Sequence, residues 1–206
     1  MVELLIDRGA DPNKRCLPCR LSYEITDCER GPTALHGVTN LDYPTTLNPK
    51  RVAQALISAG ADVNALAAEY DKGQDMTPLH LVVRGTEPGE MGDDDARAQL
   101  SIAEVLLLNG ADSNARAVPG GNSPAHLASP VNLSIFEMLD HYGANINALN
   151  AHGRTPLLEL LSRVSCRDHR DEALPLQQKH IIKCINKLME LGVIARMLMS
   201  LFLNCM

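Results

Sequence analysis

Aromatic side chains are scarce in this chain of 206 residues, which has four Tyr, two Phe and no Trp. A groove for single-stranded nucleic acid stacks bases on such rings and neutralises phosphates with Lys and Arg. Here 25 acidic residues outweigh 19 basic ones, for a formal net charge of −6, so nucleic acid is excluded as a partner class. Long apolar runs are also wanting. Val193 to Met206 has Arg196 as its single charge, but its 14 residues fall short of the ~20 that a bilayer requires. Glu3, Asp7 and Asp11 break up the start of the chain, so the basic, apolar and small-residue order of a secretion signal is missing. No membrane partner is expected, and the expected setting is intracellular, cytoplasmic or nuclear. No phosphate loop is visible either. Gly120-Gly121 leads to Ser123 without the Lys-Ser/Thr pair that holds phosphate.

What the chain has in abundance is repetition. Leu5-Ile6-Asp7-Arg8-Gly9-Ala10-Asp11-Pro12-Asn13 returns as Leu56-Ile57-Ser58-Ala59-Gly60-Ala61-Asp62-Val63-Asn64. It returns again as Leu107-Leu108-Asn109-Gly110-Ala111-Asp112-Ser113-Asn114 and as Leu139-Asp140-His141-Tyr142-Gly143-Ala144-Asn145-Ile146-Asn147. Each copy reads as the end of an amphipathic helix, a glycine suited to positive φ and a tight polar turn. A second phrase alternates with it: Thr33-Ala34-Leu35-His36, Thr77-Pro78-Leu79-His80, Ser123-Pro124-Ala125-His126 and Thr155-Pro156-Leu157-Leu158. A hydroxyl residue suits the N-cap, and Pro suits the first helical position, where no N–H is needed. One phrase opens a helix and the other closes a helix, so one helical pair is repeated along the chain. The phrases predict pairs at 33–49 and 51–59, 78–84 and 99–109, 124–129 and 133–142, and 156–164 and 177–191.

Two helices, a hydroxyl-Pro-Leu-His opening and a Gly-Ala-Asp-x-Asn ending resemble the ankyrin repeat. The resemblance covers nearly the whole chain. It implies an all-α fold, an ankyrin-type solenoid of stacked helix-turn-helix repeats with projecting finger loops and a concave binding face. The expected organisation is one domain over 1–206, with a partial repeat at 1–13, repeats at about 31–64, 75–114, 122–147 and 153–192, and an apolar cap at 193–206. The closing glycines lie 51, 50, 33 and 49 residues apart, against a family period of about 33. The surplus falls into loops, because a stacked helix face cannot absorb an insertion without breaking its core. At the start, Val2 to Ile6 already reads as a closing helix, so the first repeat lacks its opening helix.

The resemblance gives His36, His80 and His126 structural duty, as partners of backbone and hydroxyl groups within the opening turn. Asn13, Asn64, Asn114 and Asn147 are turn residues. Asn64 also stands in a loop that resembles substrates of an asparaginyl hydroxylase. Cys16, Cys19 and Cys28 share one inserted loop, with the residue types for three zinc ligands. A labile disulfide, or three inert thiols, are the other readings, so no cofactor is expected beyond that zinc ion. Glu87, Glu90, Asp93, Asp94 and Asp95 read as an acidic loop, too polar to pack.

No nucleophile beside a base and no complete metal set accompanies these features, so no catalytic residue is assigned and the chain is not expected to be an enzyme. The function that follows is a non-catalytic protein-protein interaction module, a scaffold or adaptor whose partner is another protein. Its contact residues are expected in the fingers: Tyr70, Asp71, Lys72, Arg116, Leu149 and His152. The competing reading is an ankyrin scaffold recruited to small-molecule binding or an unusual catalysis, in a pocket formed by the inserted loops.

Overall fold

The structure is a computed structural model that describes residues 2–15, 31–39, 48–68, 74–85, 93–128 and 134–165, together with position 186. Four of the helices begin where the opening phrase stands or just after it: α2 (Ala34–Thr39), α4 (Pro78–Arg84), α6 (Pro124–Leu127) and α8 (Pro156–Ser165). The other four are α1 (Val2–Asp7), α3 (Pro49–Ser58), α5 (Asp93–Leu108) and α7 (Ser134–His141). Helix starts are chemically marked. Asn48 accepts from the Arg51 N–H at 3.1 Å with Pro49 beside it, and Thr77 caps α4 ahead of Pro78. Both arrangements use donors that a helix start leaves over.

Opening helices pack on one another in the order α2, α4, α6, α8, and the remaining helices pack in the order α1, α3, α5, α7. The two rows are joined where α2 meets α3, α4 meets α5 and α6 meets α7. Leu35, Leu56, Leu79, Ile102, Leu106, Phe136, Leu139, Leu157 and Leu160 belong to a single buried cluster that runs through these contacts. Each pair thus buries its apolar face against its neighbours, since helices of 4 to 16 residues cannot bury enough apolar surface alone.

Helices α1, α3, α5 and α7 are followed by turns with one geometry. The Ala10, Ala61, Ala111 and Ala144 N–H groups donate to the carbonyls of Leu5, Leu56, Leu106 and Leu139 at 2.9–3.0 Å. Gly60 and Gly110 sit at φ 91° and 85°, the left-handed conformation that lets the chain leave the helix with its last carbonyls satisfied.

Three expectations need correction. The fold is mostly helical but not purely so. β1 (Ala67–Ala68) and β2 (Asp75–Met76) form an antiparallel ribbon with Ala67 opposite Met76, and Asp75 bridges to Val118 in the next loop. Second, α3 starts at Pro49 rather than 51 because Asn48 caps it. Third, α5 starts at Asp93, six residues before the expected 99. Asp93, Asp94 and Asp95, read as loop, belong to the helix itself. Residues 40–47 of the helix expected at 33–49, the helix expected at 177–191 apart from position 186, and the cap at 193–206 lie outside the described residues.

Candidate interaction surface

The surface is built on a ladder of side chains that repeat with the turns. Within each turn an Asx carboxylate or amide oxygen accepts from the backbone two residues on: Asp11 from Asn13, Asp62 from Asn64, Asp112 from Asn114 and Asn145 from Asn147, at 2.8–3.1 Å. This pre-shapes the turn. The Asn that ends the turn then reaches the next unit. Asn13 donates Nδ2–H to the Gly60 carbonyl at 2.8 Å and accepts from the Asp62 N–H at 2.7 Å. Asn64 makes the same clasp on Gly110 and Asp112 at 2.9 and 2.8 Å, and Asn114 makes it on Gly143 and Asn145 at 2.9 and 2.7 Å. An amide suits this position because one side chain can donate and accept at once.

Two residues beyond each of these Asn stand Arg15, Leu66, Arg116 and Leu149. The Arg15 guanidinium donates to the carbonyls of Gly31 and Leu66, at 2.9 and 2.7 Å. The Arg116 guanidinium likewise donates to the carbonyls of Gly121 and Leu149. Each arginine therefore holds the backbone of its own loop and of the equivalent position in the following unit. Behind them the loops are tied edge to edge. Asp75 and Val118 exchange N–H···O bonds of 2.7 and 3.1 Å, and the Ala151 N–H donates to the Gly120 carbonyl at 3.1 Å. Met76, Ala117 and Leu127 form a small apolar cluster beneath.

The histidines bolt these loops to the helices. In each opening turn Nδ1 lies 2.8 Å from the cap hydroxyl of Thr33, Thr77 or Ser123 and accepts from that residue's N–H at 3.2–3.3 Å. Nε2 then carries the proton and donates to the carbonyl of Met76, Asn122 or Arg154 in the next unit, at 3.0–3.1 Å. Burial pushes His36 and His80 down to about 4 and lowers His126, with the accepting backbone carbonyls pulling in the opposite direction. A neutral, two-sided hydrogen-bond partner is what these rings are built to be.

Of the contact residues expected from the sequence, three lie on described positions. Leu149 is 56% exposed, His152 is exposed, and Arg116 is exposed but has its guanidinium committed to two carbonyls. Tyr70, Asp71 and Lys72 lie outside the described residues, as do Cys16, Cys19 and Cys28. The Asn64 amide is occupied on both sides by Gly110 and Asp112. Sequence reasoning passed over Arg15 and the 40% exposed Leu66. Their signal was present, since both stand two residues after a turn Asn. Among the described residues no group of three or more His, Cys, Asp or Glu is placed to hold a metal ion, and no helix is long and apolar enough to cross a membrane.

Known proteins are similar in sequence over part of the chain. The chain is 31% identical over 163 residues, 78% of its length, to Ankyrin repeat and SOCS box protein 6 of Mus musculus. It is 32% identical over 114 residues, 54% of its length, to the proteins of that name in Homo sapiens and Pongo abelii. The similarity points to ankyrin repeats. These matches span 23% to 35% of the relatives, so the chain spans about a third or less of the length of the curated proteins it matches. No family model matches the sequence.

Proposed function

We propose that this chain is an ankyrin-type solenoid serving as a non-catalytic scaffold or adaptor, which binds another protein through its concave face and finger loops in an intracellular setting. One observation carries the reading. The finger backbone is held by the Asn, Arg and His bonds, while Leu66 and Leu149 stand exposed on it with no core to fill. Apolar side chains on a backbone fixed in advance bind with little ordering cost. The similarity to proteins named for ankyrin repeats supports the same conclusion. Tyr70, Asp71, Lys72, Leu149 and His152 are the proposed contacts, and Arg116 contributes by holding the loop of Leu149.

The test is affinity purification of a partner, followed by titration with variants. Leu149→Asp and Tyr70→Ala should each weaken binding by more than about 1 kcal/mol, roughly fivefold, while leaving the melting temperature unchanged. Full affinity in both variants would move the partner off the fingers.

A further inference from the structure

The residue two places after each turn asparagine is set outward by the pattern around it. Leu66 is exposed between buried Ala65 and Ala67, and Leu149 is exposed between buried Ala148 and Asn150. Arg116 is exposed with Ala117 buried beside it. An extended backbone sends successive side chains to opposite faces, so these three turn away from the core together. Arg15, half-buried, holds the same place in the first unit. The outward residues therefore run Arg15, Leu66, Arg116, Leu149 along the row, one to a unit. The units step with the helices α2, α4, α6 and α8, and packed helices lie about 8–10 Å apart. The guanidiniums keep spare donors. Both bonds of Arg15, and both of Arg116, leave from Nη1, so among the described residues the Nη2 and Nε edge of each is left for a ligand. The turn carboxylates of Asp62 and Asp112 are engaged with N–H groups of their own turns.

Resting on the finger surface proposed above, we infer that this row binds a segment of polyproline-II backbone in which carboxylate and apolar side chains alternate at every third residue. The spacing selects the conformation. A polyproline-II chain returns a side chain to the same face every three residues, at about 3.1 Å each and so roughly 9 Å per turn, which matches the step between units. A β-strand returns one every two residues, about 6.7 Å, and an α-helix every turn, about 5.4 Å, so both fall out of step with the fingers. Charge selects the side chains. A carboxylate takes two N–H donors from one edge of a guanidinium, and Arg15 and Arg116 are already held for it by their backbone bonds. Apolar side chains of the partner cover Leu66 and Leu149. Such a segment has no internal hydrogen bonds to break and little freedom to lose, and about ten of its residues span the four positions.

The experiment selects a library of random peptides, each about twelve residues long and so able to reach all four positions, on the full chain. Sequences in which Asp or Glu alternates with Leu, Ile or Val at every third position, with Pro between them, are the expected result. A peptide from that set should bind Arg116→Gln roughly tenfold more weakly than the wild type by fluorescence anisotropy. Its counterpart with Gln in place of the matching carboxylate should bind the two proteins alike. Equal weakening of both peptides would make Arg116 purely structural and overturn the inference. Selection repeated on Leu149→Lys should change one apolar position to Asp or Glu and leave the others. No enriched sequence, apolar sequences without carboxylates, or a helical spacing of three and four residues would each overturn the inference. Apolar sequences that Leu149→Asp no longer binds would still leave the finger surface standing. The alternating pattern, found while a purified partner ignores Leu149→Asp and Tyr70→Ala, would support the inference and remove only that partner from the fingers.

Discussion

At the scale of single residues, the turn glycines, the ladder asparagines and the capping histidines act through backbone geometry. A Cβ at Gly60 or Gly110 meets nothing within 4 Å, so the cost of Gly60→Val or Gly110→Val is conformational, about 1–3 kcal/mol from forcing a β-branched residue to positive φ. Urea midpoints equal to the wild type would show that these turns do not need glycine. Asn64→Ala removes two bonds to the next unit and should cost about 1–3 kcal/mol by the same measurement. The histidines make stability depend on pH. An unfolded His titrates near 6.5, while His36 and His80 in the fold titrate at about 4, so the unfolded chain binds more protons between these values. Their contribution is complete above about pH 6.5 and drains as pH falls toward 4, at up to about 1.4 kcal/mol per pH unit for each ring. Denaturation at pH 7.5, 6 and 5 checks this, with His80→Gln expected to flatten part of the slope.

Among the elements, α5 and α7 are the most informative. α5 begins at Asp93, so replacing residues 93–95 by Lys puts three positive charges at a helix N-terminus, where the backbone dipole is already positive, and should destabilise the helix start by about 1–2 kcal/mol. Faster amide exchange confined to the N-terminal end of α5 is the expected signature. Deeper in the stack, Phe136 of α7 is 1% exposed and lies in the shared cluster with Leu106 of α5. Phe136→Ala should cost about 3–5 kcal/mol, and thermal denaturation followed by circular dichroism would measure it.

For the whole molecule, stability is shared between neighbours, because the main buried cluster runs from Leu35 to Leu160 through successive helix pairs, with one small second cluster beneath the loops. Protection from hydrogen exchange should therefore peak in α3, α4 and α5, which have neighbours on both sides in their rows, and be lowest in α1. Uniform protection from α1 to α8 would contradict a nearest-neighbour stack. A lesion such as Phe136→Ala should also lower protection in α5 before it reaches α3.

The sequence by itself determined the units. A cap followed by Pro starts a helix and a glycine at positive φ ends one, and both are local requirements of backbone hydrogen bonding, so α4 at 78–84 was legible to the residue. Three of the four opening turns carry a histidine whose bond to its own cap residue is local. What the tertiary structure alone decided is what each repeated residue touches in the next unit. Arg116 reads from the sequence as an exposed finger residue, yet its guanidinium spans two loops, and Leu149 sits 33 residues away. The ribbon of β1 with β2 was settled in the same way, by the following loop whose Val118 bridges to Asp75. Leu5 carries the clearest case: the same leucine in the same turn is buried three times and open once, because burial depends on the helix beside it.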